Sequence, residues 1–147
     1  MARQIRTEII IDAPPRRVWD VLTDFSAYPD WNPFIRRIAG EVKEGARLEV
    51  ELRPPGSLAT TIRPTVKAAA PGRELRWLGS LGVPGLFDGE HAFHLEPIGG
   101  QRTRLVHEET FSGLLAPAVL RLIGAQTRQG FMAMNEALKN RAERADG

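Results

Sequence analysis

The sequence predicts an α+β fold in which an antiparallel sheet of about seven strands packs against one long C-terminal helix. Apolar residues recur at helical spacing through 114–144, whereas the segments before it alternate between apolar and polar residues. The order is one strand, two short helices, six strands and the long helix, with short turns between neighbouring strands, which favours antiparallel pairing. The 147 residues are expected to form a single domain, 1–147, whose last few residues are disordered.

The C-terminal helix is predicted from one apolar stripe. Its members are Leu115, Val119, Leu122, Ile123, Phe131, Met134 and Leu138. Because Pro117 is tolerated only in a first turn, the helix should begin near Ala116. A helix of about 27 residues would be roughly 40 Å long and needs a large apolar partner surface. Gly124, Gln126 and Gly130 interrupt the stripe, which indicates either close backbone packing or space for a ligand.

The remaining elements follow from alternation and from turn residues. Arg3 to Ile11 alternates and predicts the first strand, and the break at 12–15 begins a helix that runs to about Asp24. A compact connector rich in aromatic and turn-forming residues follows at 26–33. Six further strands are predicted at 35–41, 47–53, 60–69, 73–78, 87–96 and 102–112. Pro64 predicts an edge or a bulge within the strand 60–69.

Composition excludes several classes of protein. The chain has no cysteine, so it can form neither disulfides nor thiolate sites, which is consistent with the cytoplasmic location that we expect. The N-terminus lacks the apolar core of a signal peptide, and no apolar run approaches the roughly 18 residues of a membrane span. The net charge is only +2, without a long basic run, so a nucleic-acid partner is not expected.

The last predicted hairpin brings polar side chains to the inward face of the sheet. By alternation, the residues that face the helix are His91, Phe93, Leu95, Leu105, His107, Glu109 and Phe111. By the same parity His94 faces solvent. Pairing of Leu95 with Thr103 would set His91 directly opposite His107, with Cβ atoms about 5 Å apart.

These inward polar groups need partners, and three interpretations remain open. His91, His107 and Glu109 form a satisfied polar cluster in an apolar core, or they orient a guest in a ligand pocket, or they form a catalytic or metal site. Gln126 on the helix is a candidate partner for the cluster. Since histidine titrates near neutral pH, His107 with Glu109 is a candidate acid–base pair.

Several segments resemble a known superfamily. They are IIIDAP (9–14), VWDVLTDF (18–25), YPDWNPFI (28–35), PGRELRW (71–77), GEHAFHLEP (89–97) and TRLVHEETFSG (103–113). Together they resemble the SRPBCC superfamily, which includes START lipid-transfer domains and the birch-pollen allergen family, and within it the small bacterial polyketide cyclase/dehydrase-like proteins. The resemblance covers essentially the whole chain. It implies the helix-grip fold, in which a curved antiparallel sheet wraps round one long C-terminal helix.

The resemblance also implies a function, which is to bind a small polyketide-, lipid- or aromatic-like molecule between the sheet and the helix. The expected apolar wall is Leu75, Trp77, Phe93, Leu105, Met134 and Leu138. The expected polar contacts are His91, His107, Glu109 and Gln126.

Two alternatives share this scaffold. One is a cofactor-independent cyclase or dehydratase that uses His107 and Glu109 for proton transfer. The other is a protein-interaction module of the chaperone-ATPase-activator type. No cofactor and no metal are expected. The related oxygenases that hold iron with such a triad have a separate iron–sulfur domain and a longer chain, and this sequence shows neither feature. The protein is expected to be a monomer or a homodimer.

Overall fold

The computed structural model describes residues 3–144, so the predicted disorder of the last few residues lies outside the described range. Within that range the elements are β1 (Arg3–Ile11), α1 (Pro15–Thr23), α2 (Tyr28–Trp31), β2 (Ile35–Ala39), β3 (Glu49–Leu52), β4 (Thr60–Ile62), β5 (Thr65–Ala70), β6 (Glu74–Ser80), β7 (Asp88–Ile98), β8 (Arg102–Ser112) and α3 (Ala116–Ala142). A 3-10 turn at Phe25–Ala27 joins α1 to α2. The predicted helix-grip fold is confirmed: a curved antiparallel sheet holds one long C-terminal helix.

The strands form two sheets. One has five strands in the order β1-β8-β7-β6-β5, and the other has three in the order β2-β3-β4. The prediction of one strand at 60–69 is wrong, because Pro64 lacks an N–H and the chain breaks there into β4 and β5. The Pro64 carbonyl accepts a hydrogen bond from Leu48 N at 2.8 Å, and Arg47 bridges to Thr65. These bonds make the two sheets continuous around the core.

Helix α3 has the predicted start and length, Ala116–Ala142 with 27 residues, but its two halves differ. Phe131, Met134 and Leu138 in the C-terminal half are fully buried. Leu122 in the N-terminal half is 80% exposed, so the prediction that it belongs to the buried apolar stripe is wrong. Ile123, one residue further, turns inward instead. The described helices include none that is long and apolar enough to cross a membrane.

Candidate functional site

Two adjacent rows of the five-stranded sheet bring the polar side chains together. One row runs from Trp77 on β6 through His91 on β7 to Glu109 on β8. The next row, two residues along, pairs Phe93 with His107. The predicted pairing of His91 with His107 is therefore wrong by two residues. Because a shift of two preserves alternation, both histidines still face inward as predicted, and they meet as diagonal neighbours.

The five polar side chains in this region form a continuous chain of contacts, which we call the histidine network. His91 Nδ1 lies 3.4 Å from Glu109 Oε1, and His91 Nε2 lies 2.7 Å from His107 Nε2. His107 Nδ1 lies 2.8 Å from Asn135 Oδ1. Asn135 Nδ2 donates to Thr7 Oγ1 at 2.9 Å, and that hydroxyl donates to the His107 carbonyl at 2.9 Å. The network thus runs from Glu109 to the backbone under α3.

The donors and acceptors fix the direction of this network. The His107 carbonyl can only accept, so Thr7 donates to it and accepts from the Asn135 amide nitrogen. The Asn135 oxygen therefore receives the Nδ1 proton of His107, and neutral His107 presents a bare Nε2 to His91. His91 must then donate through Nε2. Its Nδ1 then faces the Glu109 carboxyl, with 3.4 Å between Nδ1 and Oε1.

The two imidazoles are held between aromatic rings. The His107 ring stacks on Phe131 with centroids 4.1 Å apart and planes 4° from parallel. The His91 ring stacks on Trp77 at 5.0 Å. Burial in this core, and then the neighbouring His91, hold the pKa of His107 well below its usual range. His107 is therefore neutral at physiological pH, as the hydrogen bonds require.

Stability should fall when the pH is lowered below about 6.5, the usual histidine pKa. Above that pH His107 is neutral in both states; below it the unfolded chain binds a proton that the folded chain excludes. The free energy of unfolding should therefore fall by up to about 1.4 kcal/mol per pH unit until the folded pKa is reached. Urea denaturation between about pH 5 and pH 7.5 measures this slope. His107→Gln should lose it, whereas His94→Gln on the outer face should retain it; equal slopes would contradict the assignment.

A cavity of about 130 Å³ lies at the Glu109 end of the network. Its wall is mostly apolar and is formed by Phe34, Leu52, Pro54, Ile62, Trp77, Leu81, Phe87, Phe111 and Ile123. Glu109, Thr127, Thr60 and Ser80 are the polar side chains that line it. The Glu109 side chain is 16% exposed, so its carboxylate is reachable from the cavity, whereas the other members of the histidine network are buried.

The structure places only two of the predicted wall and contact residues on this cavity, Trp77 and Glu109. The other predicted wall residues are buried in the core and do not line it: Leu75, Phe93, Leu105, Met134 and Leu138. The reason is that large side chains fill the space under the C-terminal half of α3. The cavity lies instead under Ile123 and Thr127, where the helix has smaller residues.

Of the expected polar contacts, His91 and His107 join the histidine network and Gln126 does not. Neither His91 nor His107 lines the cavity, so both stand behind Glu109. Gln126 does not join the network, because it lies on another face of α3 and its Oε1 accepts a hydrogen bond from Ser57 Oγ at 2.9 Å. Asn135 occupies the place on the helix that Gln126 was expected to fill.

Sequence reasoning missed Asn135 and Gly89. The signal for Asn135 was present: it lies four residues after Phe131, so it shares the buried face of the helix. Gly89 is needed because a Cβ there would collide with the Glu109 carboxylate, lying 3.2 Å from Cδ and closer still to Oε2. A glycine on β7 therefore gives the carboxylate the room to reach the cavity wall.

Residues 3–144 contain no group of three or more histidine, aspartate or glutamate side chains arranged to hold a metal ion. The contacts of His91 and His107 are instead accounted for by hydrogen bonds and aromatic stacking.

Residues 2–143 match the sequence model of a family described as polyketide cyclase/dehydrase and lipid transport. No curated protein sequence matches the chain. Among solved structures, the chain is similar to the ZhuI aromatase/cyclase from Streptomyces sp. R1128, with 21% identity, a TM-score of 0.80, and coverage of 100% of this chain and 99% of that one. Norcoclaurine synthase from Thalictrum flavum gives 14% identity and a TM-score of 0.74 over 98% and 95% of the two chains. A START superfamily protein from Mycobacterium smegmatis gives 21% and 0.71 over 95% and 97%. At these identities the structural matches establish the fold.

Proposed function

The chain belongs to the polyketide cyclase/dehydrase and lipid-transport family, and we propose that it binds a small, largely apolar molecule whose one polar group meets Glu109. The observation that carries the proposal is a single carboxylate in the wall of a mostly apolar cavity, whose other polar side chains are uncharged hydroxyls. Ligand sites commonly combine an apolar lining with a few polar groups that set orientation. Glu109 would be that group, and Trp77, Phe111 and Ile123 would contact the apolar part.

The size of the cavity narrows the ligand class. Its volume of about 130 Å³ is close to that of an apolar protein cavity, about 150 Å³, that binds benzene. One aromatic ring therefore fits inside, and a longer molecule would extend through the mouth, where Leu81 and Thr60 are exposed. The preferred ligand is an aromatic or polyketide-like ring with a hydroxyl or ammonium donor facing Glu109.

The test compares p-cresol with toluene, which differ by one hydroxyl. Both should shift the amide NMR resonances of cavity residues such as Phe111 and Ile123. Glu109→Gln should weaken p-cresol binding about tenfold or more, because a hydrogen bond to a charged group contributes about 1.5–3 kcal/mol, and should leave toluene affinity unchanged. Gly89→Ala, which displaces the carboxylate, should act in the same direction.

Glu108→Gln is the matched control, since Glu108 lies on the outer face of β8, where it contacts His94. It should leave both affinities unchanged. Failure of both ligands to perturb the cavity residues, or an equal loss of toluene and p-cresol affinity in Glu109→Gln, would contradict the proposal.

A second candidate is acid–base catalysis on the same ligand, favoured by the contact between Glu109 at the cavity and His91 behind it, with Nδ1 and Oε1 3.4 Å apart. As a carboxylate Glu109 can accept a proton from the ligand, and as a carboxylic acid it can return one. His107 would act through His91 as a positioning residue. In an enzyme, Glu109→Gln should abolish turnover while toluene still binds; in a carrier, only affinity for the polar group is lost.

A further inference from the structure

Three loop and helix segments around the cavity mouth expose large apolar side chains, which we call the apolar rim. Its members are Leu58, Leu81, Val83, Leu86, Leu114 and Leu122. Leu58 is 90% exposed, and Leu114 and Leu122 are each 80% exposed. Single exposed leucines are ordinary, but several that surround one opening form a patch that indicates an interaction site.

Hydrogen bonds hold the three segments together as one surface. Leu114 N and Leu115 N donate to the carbonyls of Gly85 and Leu86, at 3.0 and 2.8 Å, and so join the β6–β7 loop to the start of α3. Gly113 permits this approach, because a side chain there would collide with the Leu86 carbonyl. The rim is therefore built into the fold.

On the other side of the mouth, the β3–β4 loop is fixed to the same helix. Ser57 donates to Gln126 at 2.9 Å. Gln126 is one helical turn after Leu122, so this bond brings Leu58 and Leu122 to the same end of the molecule. Leu81 from the β6–β7 loop lines the cavity itself, which makes the rim continuous with the cavity mouth.

The exposed charge on these segments is mainly positive. The stretches 53–60, 78–88 and 113–126 contain Arg53, Arg121 and one acidic residue, Asp88. Both arginines are exposed. The Asp88 carboxylate accepts hydrogen bonds from Ser80 Oγ and Gly85 N within the β6–β7 loop. Apolar side chains accompanied by exposed positive charge are typical of surfaces that insert into the interface of an anionic bilayer.

We propose that the apolar rim docks on an anionic lipid bilayer and so opens the cavity directly toward the membrane. The leucines would enter the boundary between headgroups and acyl chains, and Arg53 and Arg121 would lie at the level of the phosphates. A ligand of low solubility could then pass between the bilayer and the cavity without crossing water. The docking concerns the outer surface and is independent of what the cavity binds.

Flotation with lipid vesicles tests the proposal. The full chain should float with vesicles of phosphatidylcholine and phosphatidylglycerol at about 7:3 and not with phosphatidylcholine alone, and about 0.5 M salt should release it. Leu58→Ser and Leu122→Ser should each lower the partition coefficient about tenfold or more, the effect of withdrawing one leucine from an apolar phase. Arg121→Gln should lower it about fivefold.

Matched controls separate docking from general stickiness. Met132 is an exposed apolar residue elsewhere on α3, and Arg102 is exposed at the opposite end of β8. Met132→Ser and Arg102→Gln should float like the wild type, and so should Glu109→Gln, which separates this proposal from the ligand-binding one. The proposal is overturned if the wild-type protein stays in the fraction that contains no lipid. It is likewise overturned if Met132→Ser loses as much vesicle binding as Leu122→Ser. It is also overturned if the rim proves to hold a second copy, seen as a dimer in sedimentation that Leu122→Ser dissociates.

Discussion

Asn135→Leu should lower the free energy of unfolding by about 3 kcal/mol, a large effect for a substitution that keeps the number and branching of the side-chain heavy atoms. Asn135 is 3% exposed, accepts the Nδ1 proton of His107 and donates to Thr7. Leucine can do neither, so a buried imidazole N–H is left without a partner, which costs about 1–3 kcal/mol, and Thr7 loses its donor. The direction of hydrogen-bond donation along the histidine network depends on the Asn135 amide. The measurement is urea denaturation at pH 7.5.

Asn140→Leu supplies the matched control, since Asn140 is exposed on the same helix five residues later. Leucine has the better helix propensity, so this variant should be neutral or slightly more stable. The difference between the two variants then reports the buried contacts of Asn135 alone. Equal effects at the two positions would mean that the network contributes nothing to stability.

Alternation along the strands was enough to predict which polar side chains of the last hairpin face the core. His91, His107 and Glu109 were identified as inward-facing from parity, and parity survives any register error of two residues. Such an error occurred, because Pro97 was expected to end its strand. Pairing of β6 with β7 ends at His94, so Pro97 lies on an edge where its missing N–H disrupts no ladder. The strand therefore continues to Ile98 and the register shifts.

The position of the cavity could not be predicted in the same way. Periodicity identifies the face of a helix that turns inward, but it does not show how fully the facing side chains fill the space beneath it. Met134 and Leu138 match the inward pattern as well as Ile123 does, yet only Ile123 meets open space. The outcome depends on the neighbouring strands, whose large residues lie under the C-terminal half of α3. That information is tertiary, and no local pattern contains it.

The proposed acid–base role of Glu109 depends on a difference between the two ends of the histidine network. The buried end holds the imidazoles in place, and the exposed end meets the ligand. His107 is held by stacking on Phe131 and by Asn135, and both contacts oppose reorientation of its ring. His91 faces Glu109 with Nδ1 in this arrangement. Of the network, only the Glu109 carboxyl lines the cavity, so it is the group that a ligand can reach.

Glycine to alanine should have opposite effects at two positions of α3. Alanine normally stabilises a helix interior by up to about 1 kcal/mol relative to glycine. A Cβ at Gly124 meets no atom within 4 Å, so Gly124→Ala should show that gain. A Cβ at Gly130 would lie 2.7 Å from Phe34 Cε1 and closer still to Cδ1. Because Phe34 is buried and packs edge-on against Phe131, Gly130→Ala should be destabilised by about 2 kcal/mol through overpacking.

The direction in which the Phe34 ring can move connects this stability test with ligand binding. Phe34 lines the cavity, so a ring displaced by alanine at 130 has the cavity as its nearest open space. Gly130→Ala should therefore weaken toluene binding as well as stability, whereas Gly124→Ala should change neither the cavity nor the affinity. Phe34→Leu in the Gly130→Ala background should recover part of the lost stability, which a double-mutant cycle measures. Additive effects in that cycle, or a Gly130→Ala protein as stable as Gly124→Ala, would show that the contact between α3 and Phe34 does not set the size of the cavity.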